Sequence, residues 1–240
     1  MLDPLHQFVI SPIFGFRVGG VDLSFTNSSL AVFMTFALIC IVFTVCLSSK
    51  KLIPNRAQAL VEMTYVLVAG LIDANVGKKG RRYFPFVFSV FLFVLFGNLV
   101  GLIPYMFTFT SHIIATFTVA IIVFLFITIL GIVLHGFDFL SLFAPKGVPK
   151  FLLPILVPVE MISYLTRPVS LAVRLFANMM AGHTMMKVFA GFVAMVGVYG
   201  IAPIAVNVIL TGFEVIVAIL QAYIFTILTC VYLNDAIHLH

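Results

Sequence analysis

From Leu30 to Leu47 the chain is an unbroken apolar run, closed by Ser48-Ser49-Lys50-Lys51. About 20 residues at 1.5 Å rise cross the roughly 30 Å hydrocarbon core of a bilayer, so 30–47 is predicted to be a first membrane helix. The pattern then changes. Between Asn55 and Val76 the polar Gln58, Glu62, Tyr65 and Asp73 recur at helical spacing on one side, while Leu60, Val61, Leu67, Val68, Leu71 and Ile72 mostly take the other. That two-sidedness predicts a helix over 55–76 lying in the membrane interface. Two further apolar runs, 84–103 and 113–134, predict an outward and a return crossing, joined by a loop, PYMFTFTSH, that has no Lys or Arg. The last two runs, 151–197 and 203–233, form a hairpin. Its first arm is too long for one perpendicular crossing and must tilt, bend near Pro154, Pro158 or Pro168, or do both.

Charge orients this arrangement. Lys50, Lys51, Arg56, Lys78, Lys79, Arg81 and Arg82, and later Lys146 and Lys150, all fall in connections on one side. By the positive-inside bias that side faces the cytoplasm or matrix, with the N-terminus opposite and the C-terminal NDAIHLH on the basic side. Composition agrees: 63% of the 240 residues are hydrophobic, 9% are charged, and the mean hydropathy of +1.25 excludes a water-soluble domain. The fold class is all-α, a polytopic membrane protein with about five spanning helices, an interfacial amphipathic helix and a long tilted C-terminal helical hairpin. No inverted repeat or low-complexity linker divides it, so residues 1–240 read as a single membrane domain. The net charge of +5 follows the loops rather than a nucleic-acid-binding face. Cys40, Cys46 and Cys230 lie inside apolar runs as small hydrophobes. His6, His112, His135, His238 and His240 show no metal-ligand spacing, and GKKGRR at 77–82 lacks the spacing of a phosphate-binding loop, so neither cofactor, metal nor nucleotide is expected. The N-terminal MLDPLHQF does not read as a signal or transit peptide, which suits a bacterial inner membrane or a mitochondrially encoded chain.

The hairpin carries the chemistry. With a turn near residue 198, Arg174 is predicted to lie opposite Gln221, His183 within about one turn of Glu214, and Glu160 level with Asp235. Asn178 falls close to the side of Arg174, and His183 points away from it. Two titratable clusters thus flank one permanent cation. An arginine at the bilayer centre costs about 2.5 to 3.5 kcal/mol on insertion scales, and guanidinium cannot escape by losing its proton. No carboxylate of this chain stands at the level of Arg174, so its counter-charge must come from another subunit or a ligand. A mobile carboxylate passing Arg174 has its charged form favoured and releases a proton there; away from it, in lipid, it must be neutral. The fixed cation also repels hydronium and blocks a direct leak between the clusters. Bland readings stand beside this one: His183 as a hydrogen-bonded core histidine, Glu160 and Asp235 as solvated or paired with Lys150 and Arg167, Asn98 as a helix-packing contact.

Several stretches carry a resemblance: RLFANMMAGH at 174–183, GFEVIVAILQAYIFTILTCVYLNDAIH at 212–238, LIPNRAQALVE at 52–62, FGNLVGLIPYMFTFTSH at 96–112 and LLPILVPVEMISYLTRPVSLAVR at 152–174. Over nearly the whole chain the sequence resembles subunit a of the F-type ATP synthase, the stator subunit beside the rotating c-ring. The resemblance implies that Arg174 faces the c-ring carboxylate, with Asn178 and Gln221 as polar neighbours. It implies that His183 and Glu214 line the half-channel from the outer space, and Glu160 and Asp235 the one toward cytoplasm or matrix. Its implied partners are the c-ring, the peripheral-stalk b subunits and membrane lipid, with protons as cargo and no enzymatic activity of its own. The order of histidine and glutamate is that of mitochondrial subunits and their bacterial relatives; many bacterial members have the two exchanged. The rival reading is a self-contained ion channel or secondary transporter with Arg174 as an anion site, which favours internal repeats and broken helices.

Overall fold

The computed structural model describes residues 9–15, 17–18, 21–22, 24–48, 54–103, 106–136, 139, 151–196 and 201–238. Lys50, Lys51, Lys146, Lys150, His6 and His240 lie outside them. The helices are α1 (Asn27–Leu47), α2 (Arg56–Asn75), α3 (Phe84–Gly101), α4 (Ile113–His135), α5 (Leu153–Val196) and α6 (Ile201–Ile237). Among the described residues these six are long and apolar enough to cross a membrane, so the chain is an all-α polytopic membrane protein. Two 3₁₀ turns, Lys78–Tyr83 and Phe109–Ser111, precede α3 and α4. The N-terminal segment, for which no element was expected, holds four minimal strands. β1 (Pro12–Phe14) pairs antiparallel with β4 (Phe25–Thr26), and β2 (Arg17–Val18) with β3 (Val21–Asp22). The outer pair runs directly into α1, whose first turn is capped by Thr26 Oγ1 accepting from the Ser29 amide at 3.3 Å.

Packing distinguishes α2 from the other five helices. In an antiparallel hairpin Tyr65, ten residues before Asn75, would lie well along α3. Instead its ring lies 4.6 Å from Phe84 and 6.2 Å from Phe88, both in the first turns of α3. The helix therefore crosses the end of α3 steeply, as a helix lying along one face of the bundle does. Val68 and Ile72 are the apolar side chains it buries, beside the polar Gln58, whereas Leu60 and Leu67 stay exposed, so the packed apolar stripe is narrower than the apolar face read from the sequence. Gly77, at φ 77°, makes the turn that follows. Arg81 then donates Nε and Nη2 to the two oxygens of Asp73 at 2.8 and 2.7 Å, tying the basic knot to the end of α2.

Three contacts set the directions of α4, α5 and α6. Thr108, between α3 and α4, meets His183 in the second half of α5; Thr128 in α4 meets Tyr164 in the first half of α5; and His135 at the end of α4 meets the Ile237 carbonyl at the end of α6. Consecutive helices in this set are thus antiparallel, and α4 runs parallel to α6. α5 has 44 residues, a length of about 66 Å and twice a bilayer core, so it is held oblique. Pro158 and Pro168 lie inside it without ending it. α6 extends beyond the expected 203–233 at both ends. Pro203 sits in its first turn, where no amide bond is lost, and Asn234–Ile237 stay helical because a helix need not stop where lipid does.

One core joins α2, α3, α4, α5 and α6 through Val68, Ile72, Phe91, Val123, Leu175, Phe225 and Leu233. Replacing Ile72, fully buried, by Ala should lower unfolding stability by about 2 to 4 kcal/mol, whereas Leu60→Ala should change it by about 0.5 kcal/mol or less. Thermal unfolding of the purified protein measures both, and equal effects would contradict the packing of α2 described here.

Candidate functional site

The polar side chains of α5 and α6 meet at three levels. Nearest the hairpin turn, His183 and Glu214 are buried, at 6% and 3% exposure, with His183 Nε2 3.6 Å from Glu214 Oε1. Gly182 makes room for the carboxylate: a Cβ there would lie 2.5 Å from the same oxygen. At the middle level Asn178 Nδ2 donates to Gln221 Oε1 at 2.9 Å. Toward the other end Arg167 Nη1 donates to Asp235 Oδ2 at 2.8 Å. The guanidinium of Arg167 also stands 5.3 Å from the centre of the Tyr164 ring and 5.0 Å from that of Tyr232, so two aromatic faces share its charge.

The expected register holds at the turn and drifts away from it. His183 meets Glu214 as expected, but Gln221 meets Asn178, one turn along α5 from the expected Arg174. Asp235 meets Arg167, about two turns beyond the expected Glu160. A growing offset is what two helices crossing at an angle produce, and the length of an arginine side chain adds to it. Glu160 is half-buried and makes no hydrogen bond or ion pair among the described residues. Thus the structure brings together His183 with Glu214 and Asn178 with Gln221, and gives Asp235 a partner other than Glu160.

Arg174 stands apart. It is exposed on α5, between the Asn178–Gln221 pair and the Arg167–Asp235 pair, among exposed Val169 and Val173. Among the described residues it makes no hydrogen bond or ion pair. No carboxylate of the chain neutralises it among those residues.

The two ends of the bundle differ in how well their polar groups are satisfied. Asn98 Oδ1, Thr110 Oγ1, Ser111 Oγ, His112 Nε2, Asn207 Oδ1 and both oxygens of Glu214 are buried with no hydrogen-bond partner among the described residues. All lie at the end that carries the α3–α4 connection and the α5–α6 turn. Buried polar atoms are normally paired, so this end of the bundle has unmet hydrogen-bonding demand. An open groove nearby, lined by Ala190, Val193, Ile204, Asn207, Val208 and Thr211, holds no titratable side chain and adds no chemistry.

Comparison with known proteins decides the family. The model of the family described as ATP synthase A chain matches residues 29–234. The chain belongs to the ATP synthase A chain family. It is 52% identical over 243 residues to the ATP synthase subunit a of Chelativorans sp., with 98% of each chain covered. It is 51% identical over 241 residues to that of Rhodospirillum rubrum, covering all of both, and 51% identical over 240 residues to that of Pelagibacter ubique, covering 99% of this chain and 98% of the other. As an ATP synthase A chain it is a membrane subunit of a larger enzyme complex.

One contact of this A chain escaped the sequence reading. Thr108, whose Oγ1 lies 3.2 Å from His183 Nε2, is 75 positions away from it, and its sequence signal is no more than the polar run TFTSH in an outer loop. Arg167, weighed above as a partner of Glu160 or Asp235, takes Asp235, and its ion pair and aromatic neighbours make it a half-buried lock of α5 to α6. Asn98 donates from Nδ2 to the Ala218 carbonyl of α6 at 3.4 Å, a helix-packing contact with one oxygen left over. In a double-mutant cycle Arg167→Gln and Asp235→Asn should show a coupling of about 1 to 2 kcal/mol in thermal unfolding. Additive effects would mean that the two side chains stabilise the hairpin independently.

Proposed function

We propose that this chain is the proton-conducting stator subunit of an F-type ATP synthase, passing protons to and from the carboxylates of a c-ring. One observation carries the reading: Arg174 is a permanent cation on an apolar, exposed stretch of α5, and none of the described carboxylates of its own chain pairs with it. In the low dielectric of a bilayer that charge demands an anion. A rotor carboxylate arriving beside it is held in its charged form and gives up its proton. Carried away from it into lipid, the same carboxylate must take up a proton to leave.

The two flanking clusters then serve as the two sources and sinks. His183 and Glu214, with the unpaired polar atoms around them, line the passage from the outer space, about 13 Å along α5 from Arg174. Asn178 and Gln221 lie between, where their amides orient the guanidinium or the visiting carboxylate without adding charge. Glu160 and Asp235 line the passage to the basic face, Asp235 as the partner of Arg167. Because the guanidinium stands between the passages, a proton crosses only on the rotor, and the membrane potential contributes about 2.3 kcal/mol per charge per 100 mV to each crossing.

The rest of the proposal follows from the same frame. The chain is a single membrane domain, with α2 in the interface of the basic side. The N-terminus lies on the outer side of a bacterial inner membrane and the C-terminus in the cytoplasm. Its partners are the c-ring, the peripheral-stalk b subunits and lipid. Nucleotide chemistry belongs to other subunits.

Replacing Arg174 by Ala should abolish coupled ATP synthesis in vesicles while the subunit remains in the assembled complex; synthesis at the normal rate would refute the role given to it. The isolated chain in liposomes should pass no more protons than empty liposomes, and flux without a c-ring would favour a self-contained channel.

A further inference from the structure

We infer that Thr108 is a positioning residue, holding the proton of neutral His183 on Nε2, the ring nitrogen that faces Glu214. The inference rests on the reading of His183 and Glu214 as the outer proton path. Its basis is a count of donors. Thr108 Oγ1 lies 3.1 Å from the Gly101 carbonyl oxygen and 3.2 Å from His183 Nε2, and all three groups are buried. A hydroxyl has one proton to donate, and a carbonyl oxygen can only accept. The Thr108 proton therefore goes to Gly101, and its oxygen can meet Nε2 only as an acceptor, which requires a proton on that nitrogen. The neutral ring is thereby fixed with Nε2 protonated and Nδ1 bare.

The local fold makes this contact specific. Gly101 is the last residue of α3, and a Cβ there would lie 2.6 Å from Thr108 Cγ2 and 3.2 Å from Oγ1, so only glycine lets the threonine approach its carbonyl. Nε2 also lies 3.6 Å from Glu214 Oε1, and neither oxygen of that carboxylate has a hydrogen-bond partner among the described residues. Nε2–H is thus shared between the threonine oxygen and a carboxylate with unmet demand. Reversing the tautomer would place two lone pairs, on Nε2 and on Thr108, against each other, or oblige Thr108 to abandon Gly101. The threonine accordingly selects which face of the imidazole presents a proton to Glu214 and which is left to accept one.

The test compares Thr108→Val and Thr108→Ser in the assembled synthase, labelled with nitrogen-15 histidine in lipid vesicles, with His183→Gln identifying the His183 signals. Wild type and Thr108→Ser should show the Nε2-protonated neutral ring; Thr108→Val should lose that preference. ATP-driven proton pumping should fall about tenfold in Thr108→Val, equivalent to about 1.4 kcal/mol, and be retained in Thr108→Ser. Where Thr108→Val fails to assemble, Thr108→Ala replaces it with the same expectations. An unchanged tautomer in the variant lacking the hydroxyl overturns the inference, as does wild-type pumping despite a changed tautomer. Equal impairment in Thr108→Ser also overturns it, because the methyl packed on Gly101 would then be what matters. The nitrogen signals report the tautomer whether or not protons flow, so failure here is distinguishable from failure of the stator reading, which the Arg174→Ala measurement tests separately.

Discussion

A guanidinium that cannot lose its proton sits on an apolar helix surface without a counter-charge from the described residues of its own chain. Much of the molecule reads as support for that single unfavourable placement. The polar residues nearest it in depth, Asn178 and Gln221, are satisfied by each other at 2.9 Å and carry no charge. The nearest carboxylate toward the basic end, Asp235, is already engaged by Arg167. A buried or half-buried ion pair adds little net stability, but it does decide which partner each charge takes.

The contrast between the two ends follows the same logic. At the basic end hydrogen bonds close on one another: Arg167 with Asp235, Thr128 with Tyr164 at 2.7 Å, His135 with the Ile237 carbonyl at 3.2 Å. At the opposite end seven buried polar atoms have no partner among the described residues. A rigid lock and a hydration-seeking cleft on one helix pair suit a stator that must stay still while charge moves through it. α5 and α6 can carry both because they are far longer than a bilayer is thick.

Much of this was legible in the sequence, and the exceptions share a cause. Apolar runs near bilayer length announced α1, α3 and α4, since helix length and hydrocarbon thickness are tied directly. The oblique length of α5 followed from the same comparison. Arg174, His183, Glu214, Asn178 and Gln221 were visible because polar groups in apolar runs are costly and seldom accidental. Pairing was less legible. A register built on parallel helices was right near the turn and wrong by a turn or two at the far end, because a crossing angle leaves no trace in residue spacing. Thr108 was invisible for a related reason: its contact with His183 joins a loop to a helix, and neither periodicity nor charge marks it. The narrow packed stripe of α2 depends on how that helix crosses α3, which its own two-sided pattern does not encode.

What stands beside Arg174 in the working assembly tests the account most directly. A high-resolution map of the complete synthase in lipid should show its guanidinium facing the rotor, with a carboxylate of another chain passing within about 4 Å in at least one rotary position. A guanidinium neutralised by Glu160, Asp235 or any other carboxylate of its own chain, or turned away from the rotor in every position, would contradict it.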